Sequence, residues 1–434
     1  MTEFEKTKSD NINISEAALF LERNHFIYYD IDFDKEVKSF IHEMEVGLKG
    51  DGMLPMIPTY INGDLTTVAN KKVITADIGG TNLRIAIVEI KDNDTVVSNI
   101  YKSRLPGIDK EINFDTFIDV LATSIIPYLK YSNMIAFSFA HQVKHNSKLD
   151  GYVIDLSKEL RIEGIKGKPL AYSLKSCLAE HGYKDVEVVL INDTVGVAGS
   201  MMHISDEFSS FLGVVMGTGV NSAYLEDCKN IEKISDSKND TMFINTESAN
   251  FIPSFLSDFD KEYITFTKRP NAAIMEKMVA GRYLGELFYF IVKKACEAGL
   301  FSEEFKNGIK EYDSIDTKQM STFYADVNAE NIYSELCKNE KDKEVLSFIC
   351  EKLIHRAANL IAIMIISIAK KAVKKDDKPV CCIIEGTTYY GLKGFDEMVK
   401  SAVNKNSKEL EIKIYSVEDA ALKGIGNIGI SLLK

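Results

Sequence analysis

The sequence predicts an α/β protein of two related lobes, each with a mixed sheet flanked by helices, and a cleft between the lobes. Two observations predict this fold class. Residues 73–88 and 211–225 both form a strand–turn–strand pattern with glycines at the turn. A chain of 434 residues, of which 45% are apolar, is also long enough to bury two cores of ordinary size.

The order of the remaining patterns sets the expected lobe boundaries. Helical spacing of apolar residues predicts a helix ending before the Gly-Asp-Gly break at 50–52, and two long helices at 272–297 and 344–374. Further strands are predicted at 134–139, 186–191 and 380–385. We expect the smaller lobe to contain residues 71–201 with the C-terminal helix 416–434, and the larger lobe to contain residues 1–70 and 202–415.

Composition excludes several classes of function. The formal net charge of −12 argues against a nucleic-acid binder or a protein that binds anionic membranes. The seven cysteines show no CxxC spacing, so neither a disulfide framework nor a zinc site is predicted. The first ten residues are polar and unlike a secretory signal, and the most apolar stretch, 357–369, is shorter than the roughly 20 residues that span a bilayer. We therefore expect a cytoplasmic location.

A glycine turn after the first strand is a candidate phosphate site. Asp77 precedes Gly79, Gly80, Thr81 and Asn82. Such a turn offers backbone N–H groups, a hydroxyl and an amide to a polyphosphate, and the aspartate is a candidate Mg²⁺ ligand through water. A simple hairpin turn would contain the same residues. Because a strand follows the turn, it is neither a dinucleotide-binding fingerprint nor a P-loop.

The second glycine turn, 217–219, has the same two interpretations. Because the chain contains two such turns, we favour the interpretation in which they bind a nucleotide from opposite sides. Asn192 and Asp193 follow an apolar strand, where ligand chemistry occurs in α/β folds, although the pair would also serve as a helix N-cap.

Glu247 and Glu276 are candidate acceptors for sugar hydroxyls, but a glutamate near a helix start is also favoured by the helix dipole. His141 and His145 are expected in a loop, and the histidines show no metal-ligand spacing.

Several segments, in this order, resemble the motifs of the hexokinase family, whose members belong to the actin-like, ribonuclease H-like superfamily of two-lobed kinases. The segments are residues 53–58, 76–84, 137–139, 190–196, 217–221, 244–247 and 276–286. Each motif is short, but the ordered set extends over most of the chain. The resemblance implies ATP and Mg²⁺ as cofactors, a hexose as substrate and an induced closure of the lobes.

The resemblance also implies roles for individual residues. Asp193 would be the general base that takes the proton of the sugar's 6-hydroxyl, and Lys158 would lie near the transferred phosphoryl group. The implied sugar ligands are Ser138, Ser157, Lys158, Asn192, Asp193, Asn221, Glu247 and Glu276. The implied nucleotide ligands are Asp77, Gly79, Gly80, Thr81, Asn82, Arg84, Gly217, Thr218, Gly219, Gly386 and Thr387.

The sequence departs from the family pattern at several places. Ala140 replaces a proline, from which we expect a less rigid sugar loop. Ser248 and Ala249 replace a Trp-Gly pair, and residues 417–421 replace a glycine-rich segment before the last helix. The predicted function is ATP:hexose 6-phosphotransferase, glucose being the expected substrate. The alternatives are a weakly catalytic sugar sensor of the same fold and an actin-like ATPase without a sugar substrate.

Overall fold

The computed structural model describes residues 12–63, 68–92, 94–156, 160–234, 239–374, 376–408 and 410–433. The described strands are β1 (Ile57–Pro58), β2 (Lys72–Ile78), β3 (Asn82–Lys91), β4 (Asp94–Arg104), β5 (Ile112–Asn113), β6 (Met134–Phe139), β7 (Gln142–His145), β8 (Gly151–Asp155), β9 (Ile162–Glu163), β10 (Glu187–Ile191), β11 (Ser210–Met216), β12 (Val220–Asp227), β13 (Thr241–Asn245), β14 (Val380–Glu385) and β15 (Ile412–Ser416).

The described α-helices are α1 (Ile12–Arg23), α2 (Phe33–Lys49), α3 (Phe114–Ile125), α4 (Leu170–Glu180), α5 (Asp193–Gly199), α6 (Asp258–Thr265), α7 (Ile274–Val279), α8 (Leu284–Glu297), α9 (Glu303–Ile309), α10 (Thr317–Ala325), α11 (Ile332–Leu336), α12 (Glu340–Lys371), α13 (Thr387–Gly391), α14 (Phe395–Asn406) and α15 (Ala420–Leu432).

The strands form two large mixed sheets. The first has the order β10-β6-β2-β3-β4, in which β10, β6 and β2 are parallel and β3 and β4 are antiparallel to their neighbours. The second has the order β1-β13-β12-β11-β14-β15, in which β11, β14 and β15 are parallel. Each sheet is covered on both faces, so side chains of successive strand residues enter different cores.

Helices α5 and α15 lie between the two sheets and contact each other closely. A Cβ atom on Gly424 of α15 would overlap the carbonyl oxygen of Gly196 in α5. On the outer side of each helix, Gly429 packs on Ala136 of β6, and Gly213 of β11 packs on the backbone of α5 at Ala198. The glycines therefore bring the helix backbones together and join the two sheets through one thin layer.

Most of the elements predicted from the sequence are confirmed. The two strand–turn–strand units are β2–β3 and β11–β12, and the strand predicted at 380–385 has those bounds. The N-terminal helix is α2, which Asp32 caps through a hydrogen bond from the backbone N–H of Lys35 and which ends at Gly50 in the left-handed region. The C-terminal helix α15 packs on the five-stranded sheet, but the exact lobe boundaries stay a prediction.

The single helix predicted at 272–297 is wrong, because the chain breaks between α7 and α8. At the break, the backbone N–H of Gly281 donates to the carbonyl of Gly217 at 2.9 Å instead of continuing the helix. A Cβ atom on Gly281 would also lie 3.0 Å from that carbonyl oxygen. The break therefore lets the α7–α8 connection support the second glycine turn.

Of the described helices, α12 has the length and apolar composition to cross a membrane. Within its most apolar window, 83% of the residues are buried inside the protein, as in the core helix of a soluble domain. The buried helix predicted for residues 357–369 is part of α12.

The α5–α15 contact gives a stability prediction. Gly424→Ala places a methyl group against the backbone of α5, and overpacking of this kind costs about 1–3 kcal/mol or more. We expect urea denaturation to show that loss in the free energy of unfolding. Gly391→Ala is the matched control, because a Cβ atom there meets no atom within 4 Å. A Gly424→Ala variant as stable as the control would contradict the proposed role of this contact.

Candidate active site

The carboxyl ends of three parallel strands bring the first group of site residues together. In the registers of the five-stranded sheet, Asp77 of β2 lies opposite Ser138 of β6, and Ser138 lies opposite Ile191 of β10. Asn192 and Asp193 follow Ile191 directly. Residues that are far apart in the sequence therefore share one edge of the sheet, as predicted for an α/β active site.

Asn192 and Asp193 begin helix α5. The side-chain oxygen of Asn192 accepts hydrogen bonds from the backbone N–H groups of Thr194 at 3.0 Å and Val195 at 3.1 Å, so Asn192 is a helix cap. Asp193 is the first helical residue and is half-buried, and its Oδ1 accepts from the Thr194 N–H at 2.8 Å. The cap and the catalytic interpretation are compatible, because capping fixes the direction in which Asp193 leaves the strand.

The second glycine turn connects β11 and β12 and is held from two sides. Glu276 Oε2 accepts from the Val220 N–H at 3.2 Å, and a Cβ atom on Gly219 would lie 2.6 Å from the same oxygen. The hydroxyl of Thr388 donates to the Gly217 carbonyl at 2.8 Å. Glu276, which was predicted as a sugar ligand, therefore holds this turn through the Val220 N–H. The side chain of Thr218, in the same turn, is exposed.

Gly386 lies beside this turn and must be glycine. Its φ is +145°, and a Cβ atom on it would overlap the carbonyl of Met216 and lie 2.8 Å from the nitrogen of Gly217. Thr387, which follows it, is exposed. Two backbone segments predicted to contact the nucleotide, 217–219 and 386–387, are therefore neighbours without an intervening side chain.

On β12 and β13, which follow the turn, a chain of hydrogen bonds connects the side chains of Asn221, Asn245 and Glu247. Asn221 Nδ2 donates to Asn245 Oδ1 at 2.8 Å, and Asn245 Nδ2 donates to Glu247 Oε1 at 2.8 Å. Glu247 has φ +55°, which is uncommon for a residue with a side chain. Sequence reasoning did not select Asn245, although its position two residues before Glu247 was the available signal.

Helix α5 brings these two groups of residues close to each other. The backbone of its first turn, at Thr194, packs on Gly213 of β11. Gly213 pairs with Ala223, and Ala223 pairs with Asn245 on the next strand. The helix start that carries Asp193 therefore lies on the sheet that carries Asn221, Asn245 and Glu247.

Arg84 lies in a half-buried cluster with three carboxylates that joins the two sheets. Its guanidinium donates to Asp77 at 2.7 and 3.0 Å, to Asp419 at 3.1 Å and to Glu385 at 3.4 Å. Burial opposes the charge of Arg84, but Asp77 and Glu385 outweigh it and raise the pKa of the guanidinium above its usual range. Burial is the main cause that raises the pKa of Glu385. Sequence reasoning missed Glu385 and Asp419.

The first glycine turn is open to solvent. The backbone N–H of Gly79 donates to the Asn82 carbonyl at 3.0 Å, and the side chains of Thr81 and Asn82 are exposed. The roles predicted for this turn, and that of Arg84 as a nucleotide ligand, stay predictions. Ser157 and Lys158 lie outside the described residues.

The expectation that His141 and His145 are loop residues is wrong for His145, which ends β7, and both are buried. Burial lowers the pKa of His145 to about 4. The side chain is therefore neutral in the folded protein at neutral pH, since protonation would place an unsolvated charge in the core.

His145 makes the protein acid-sensitive. Its folded pKa lies below the unfolded value of 6.5, so its contribution to stability is present above pH 6.5 and is lost as the pH falls towards 4. We expect wild type to lose about 3 kcal/mol more than His145→Leu across that interval, measured by urea denaturation at each pH. The exposed His42→Leu is the control. If the free energy of unfolding changed with pH equally in wild type and His145→Leu, the lowered pKa of His145 would be refuted.

Comparison with known proteins shows which family this sequence resembles. Two family models, each described as Hexokinase, match residues 22–203 and 211–429. Hexokinase HKDC1 of Mus musculus is 23% identical over 97% of this chain, and the chain spans about half of that relative, 48% of its length. Hexokinase-1 of Saccharomyces cerevisiae is 28% identical over 84% of this chain and 80% of that protein.

The solved structures show the same fold. The hexokinase from Schistosoma mansoni complexed with glucose superposes with a TM-score of 0.80, at 21% identity, over 96% of this chain and 99% of that one. This similarity confirms the predicted fold class, a two-lobed actin-like sugar kinase fold. Together with the two family models, which cover nearly the whole chain, it shows that the chain belongs to the hexokinase family.

Proposed function

We propose that this protein transfers the γ-phosphate of ATP to the 6-hydroxyl of a hexose, with Asp193 as the general base. The observation that carries the proposal is the position of Asp193: it begins α5 at the carboxyl edge of the five-stranded sheet, and α5 packs on the strands β12 and β13 that carry Asn221 and Asn245. Phosphoryl transfer depends mainly on positioning and charge stabilisation, which such a convergence of fixed groups supplies.

The sugar side of the site is rich in fixed acceptors. Glu247 is oriented by Asn245, and Glu276 is oriented by the backbone of Val220. Carboxylates accept hydrogen bonds from hydroxyl groups, and charge-assisted bonds of this kind are among the stronger ones. The side-chain carbonyl of Asn192 is used in capping, so its amide is the group that would donate to a sugar oxygen. These contacts would hold the hexose in one orientation.

The phosphate side of the site is formed by backbone. The Gly217 N–H donates to the Gly219 carbonyl at 2.9 Å and closes the turn, so the backbone donors to a phosphate would be those of Thr218, Gly219 and Gly386. The exposed Thr218 and Thr387 add hydroxyls. Both oxygens of Asp77 already accept hydrogen bonds, Oδ1 from Ser138 at 2.6 Å and Oδ2 from Arg84. This donor set fits Mg²⁺ held through water. Mg²⁺ would neutralise charge on the phosphate oxygens.

Asp193 would act on the 6-hydroxyl. Its Oδ1 is held by the Thr194 N–H, which orients the carboxylate. As the hydroxyl oxygen forms a bond to the γ-phosphorus, the bond from that phosphorus to the β–γ bridging oxygen breaks, the proton passes to Asp193, and ADP leaves. Base catalysis of this type contributes about 10²–10⁴-fold to the rate.

Replacement of Asp193 tests the proposal. In an assay of ADP release with Mg-ATP across glucose, mannose, fructose, galactose and N-acetylglucosamine, we expect one or more sugars to stimulate turnover. Asp193→Ala should lower kcat by about 10²–10⁴-fold, because the base is lost. Asp115→Ala, which removes an exposed first-turn acid from α3, is the control and should keep wild-type turnover.

The sugar-sensor alternative predicts a different result, namely sugar binding by the folded protein without sugar phosphate formation. ADP release that no sugar changes would instead favour an actin-like ATPase. Either result would overturn the proposed activity.

Glu276→Gln separates sugar binding from support of the turn. Glutamine can still accept from the Val220 N–H but lacks the charge, and a hydrogen bond to a charged group is worth about 1.5–3 kcal/mol. We therefore expect KM for the hexose to rise about 10–100-fold while the melting temperature stays close to that of wild type. An unchanged KM would show that Glu276 supports the turn without contacting the sugar.

A further inference from the structure

Three side chains with different metal-binding atoms lie close together on the surface formed by α3 and α4, the helices that belong to the same core as the five-stranded sheet. Asp119 lies on α3, Cys177 lies on α4, and His181 follows α4 directly. Their donor atoms all lie within 4.8 Å of one another. His181 Nε2 is 2.8 Å from Asp119 Oδ1, and Cys177 Sγ is 3.9 Å from the same oxygen.

The helix geometry holds this arrangement. Cys177 and His181 are four residues apart, and the backbone N–H of His181 donates to the Cys177 carbonyl at 3.1 Å, so the two side chains share one face of α4. Helices α3 and α4 contact each other and share one hydrophobic core, to which the buried Phe117, Leu121, Leu174 and Leu178 belong. Asp119 therefore approaches the Cys–His pair from a neighbouring helix that the core keeps in place.

The donor set selects the class of metal. Thiolate and imidazole favour borderline and soft divalent ions such as Zn²⁺, whereas Mg²⁺ and Ca²⁺ prefer oxygen ligands. Asp119 and Glu180 make the surroundings of Cys177 acidic, which favours a cation. The side chains of Asp119 and His181 are 55% and 37% exposed, so an ion has a path of entry and water can complete the coordination.

We propose that Asp119, Cys177 and His181 form a surface Zn²⁺ site that links α3 to α4. This site is separate from the candidate active site and does not depend on the proposed function. Neither Cys-x-x-Cys spacing nor a His pair marks it, because one ligand comes from a helix 58 residues earlier in the chain. When bound, the ion would stabilise the pairing of the two helices by mass action.

Cobalt spectroscopy on the full-length protein, prepared without a polyhistidine tag and stripped of metal with a chelator, tests the proposal. Titration with Co²⁺ should give a thiolate-to-cobalt charge-transfer band that saturates at one equivalent and is removed by Zn²⁺ but not by Mg²⁺. Cys177→Ser should lose the band. Asp119→Asn and His181→Gln should weaken Zn²⁺ binding by more than about tenfold, because even residues that only orient a ligand change affinity by that amount.

Cys228→Ser is the matched control, because Cys228 is also half-buried and the other five cysteines are buried. Cys228→Ser should keep the band. We also expect Zn²⁺, compared with chelator, to raise the melting temperature of wild type by more than it raises that of Cys177→Ser. A wild type without a charge-transfer band, or a band that survives in Cys177→Ser, would overturn the proposal. So would equal Zn²⁺ affinity in wild type and His181→Gln. Because all three ligands are partly exposed, the variants should fold, and circular dichroism checks this.

Discussion

The structure depends on the backbone contact between α5 and α15. Two helices can approach this closely only where side chains are absent, and Gly196, Gly199 and Gly424 supply that absence. The five-stranded sheet packs on α15, and the six-stranded sheet packs on α5. The relative position of the sheets, and with it the distance between Asp77 and Ser138 on one sheet and the polar chain on β12 and β13 of the other, therefore follows from how closely these helices pack. Larger residues at this crossing would move the two sets of ligands apart.

The Arg84 cluster adds an electrostatic connection between the same two sheets. Asp77 belongs to the five-stranded sheet, Glu385 ends a strand of the six-stranded sheet, and Asp419 precedes α15. Three carboxylates surround one guanidinium in this half-buried place. Burial is the main cause that raises the pKa of Glu385, Arg84 opposes it, and the charge of Asp77 adds to the rise. Under the proposed function, the excess of carboxylates at this place would favour a cation such as Mg²⁺ near Asp77.

The sequence was most informative where chemistry and local pattern coincide. The strand at Val380–Glu385, the two glycine turns and the Asn192–Asp193 pair all follow from short apolar runs with polar ends. It was least informative where distant segments meet. The break at Gly281 serves a contact with Gly217, 64 positions away, and neither Glu385 nor Asp419 carries a local sign that it pairs with Arg84. The proposed zinc ligands carry no local sign either, since spacing rules only compare residues near each other in the chain.

Ala140, which stands where the family pattern has a proline, makes a backbone hydrogen bond that a proline could not make. From the sequence alone, the loss of proline predicts a less rigid sugar loop. In the structure, the Ala140 N–H donates to the Ile78 carbonyl at 2.9 Å, which continues the β2–β6 pairing by one hydrogen bond. Proline has no N–H and could not make this bond. This hydrogen bond fixes the start of the loop, two residues after Ser138. The same compensation is not visible at Ser248, whose hydroxyl is buried without a hydrogen-bond partner among the residues that the structure describes. A buried unpaired hydroxyl costs free energy, so the serine at this position, next to Glu247, carries a cost that no contact in the described part of the chain offsets.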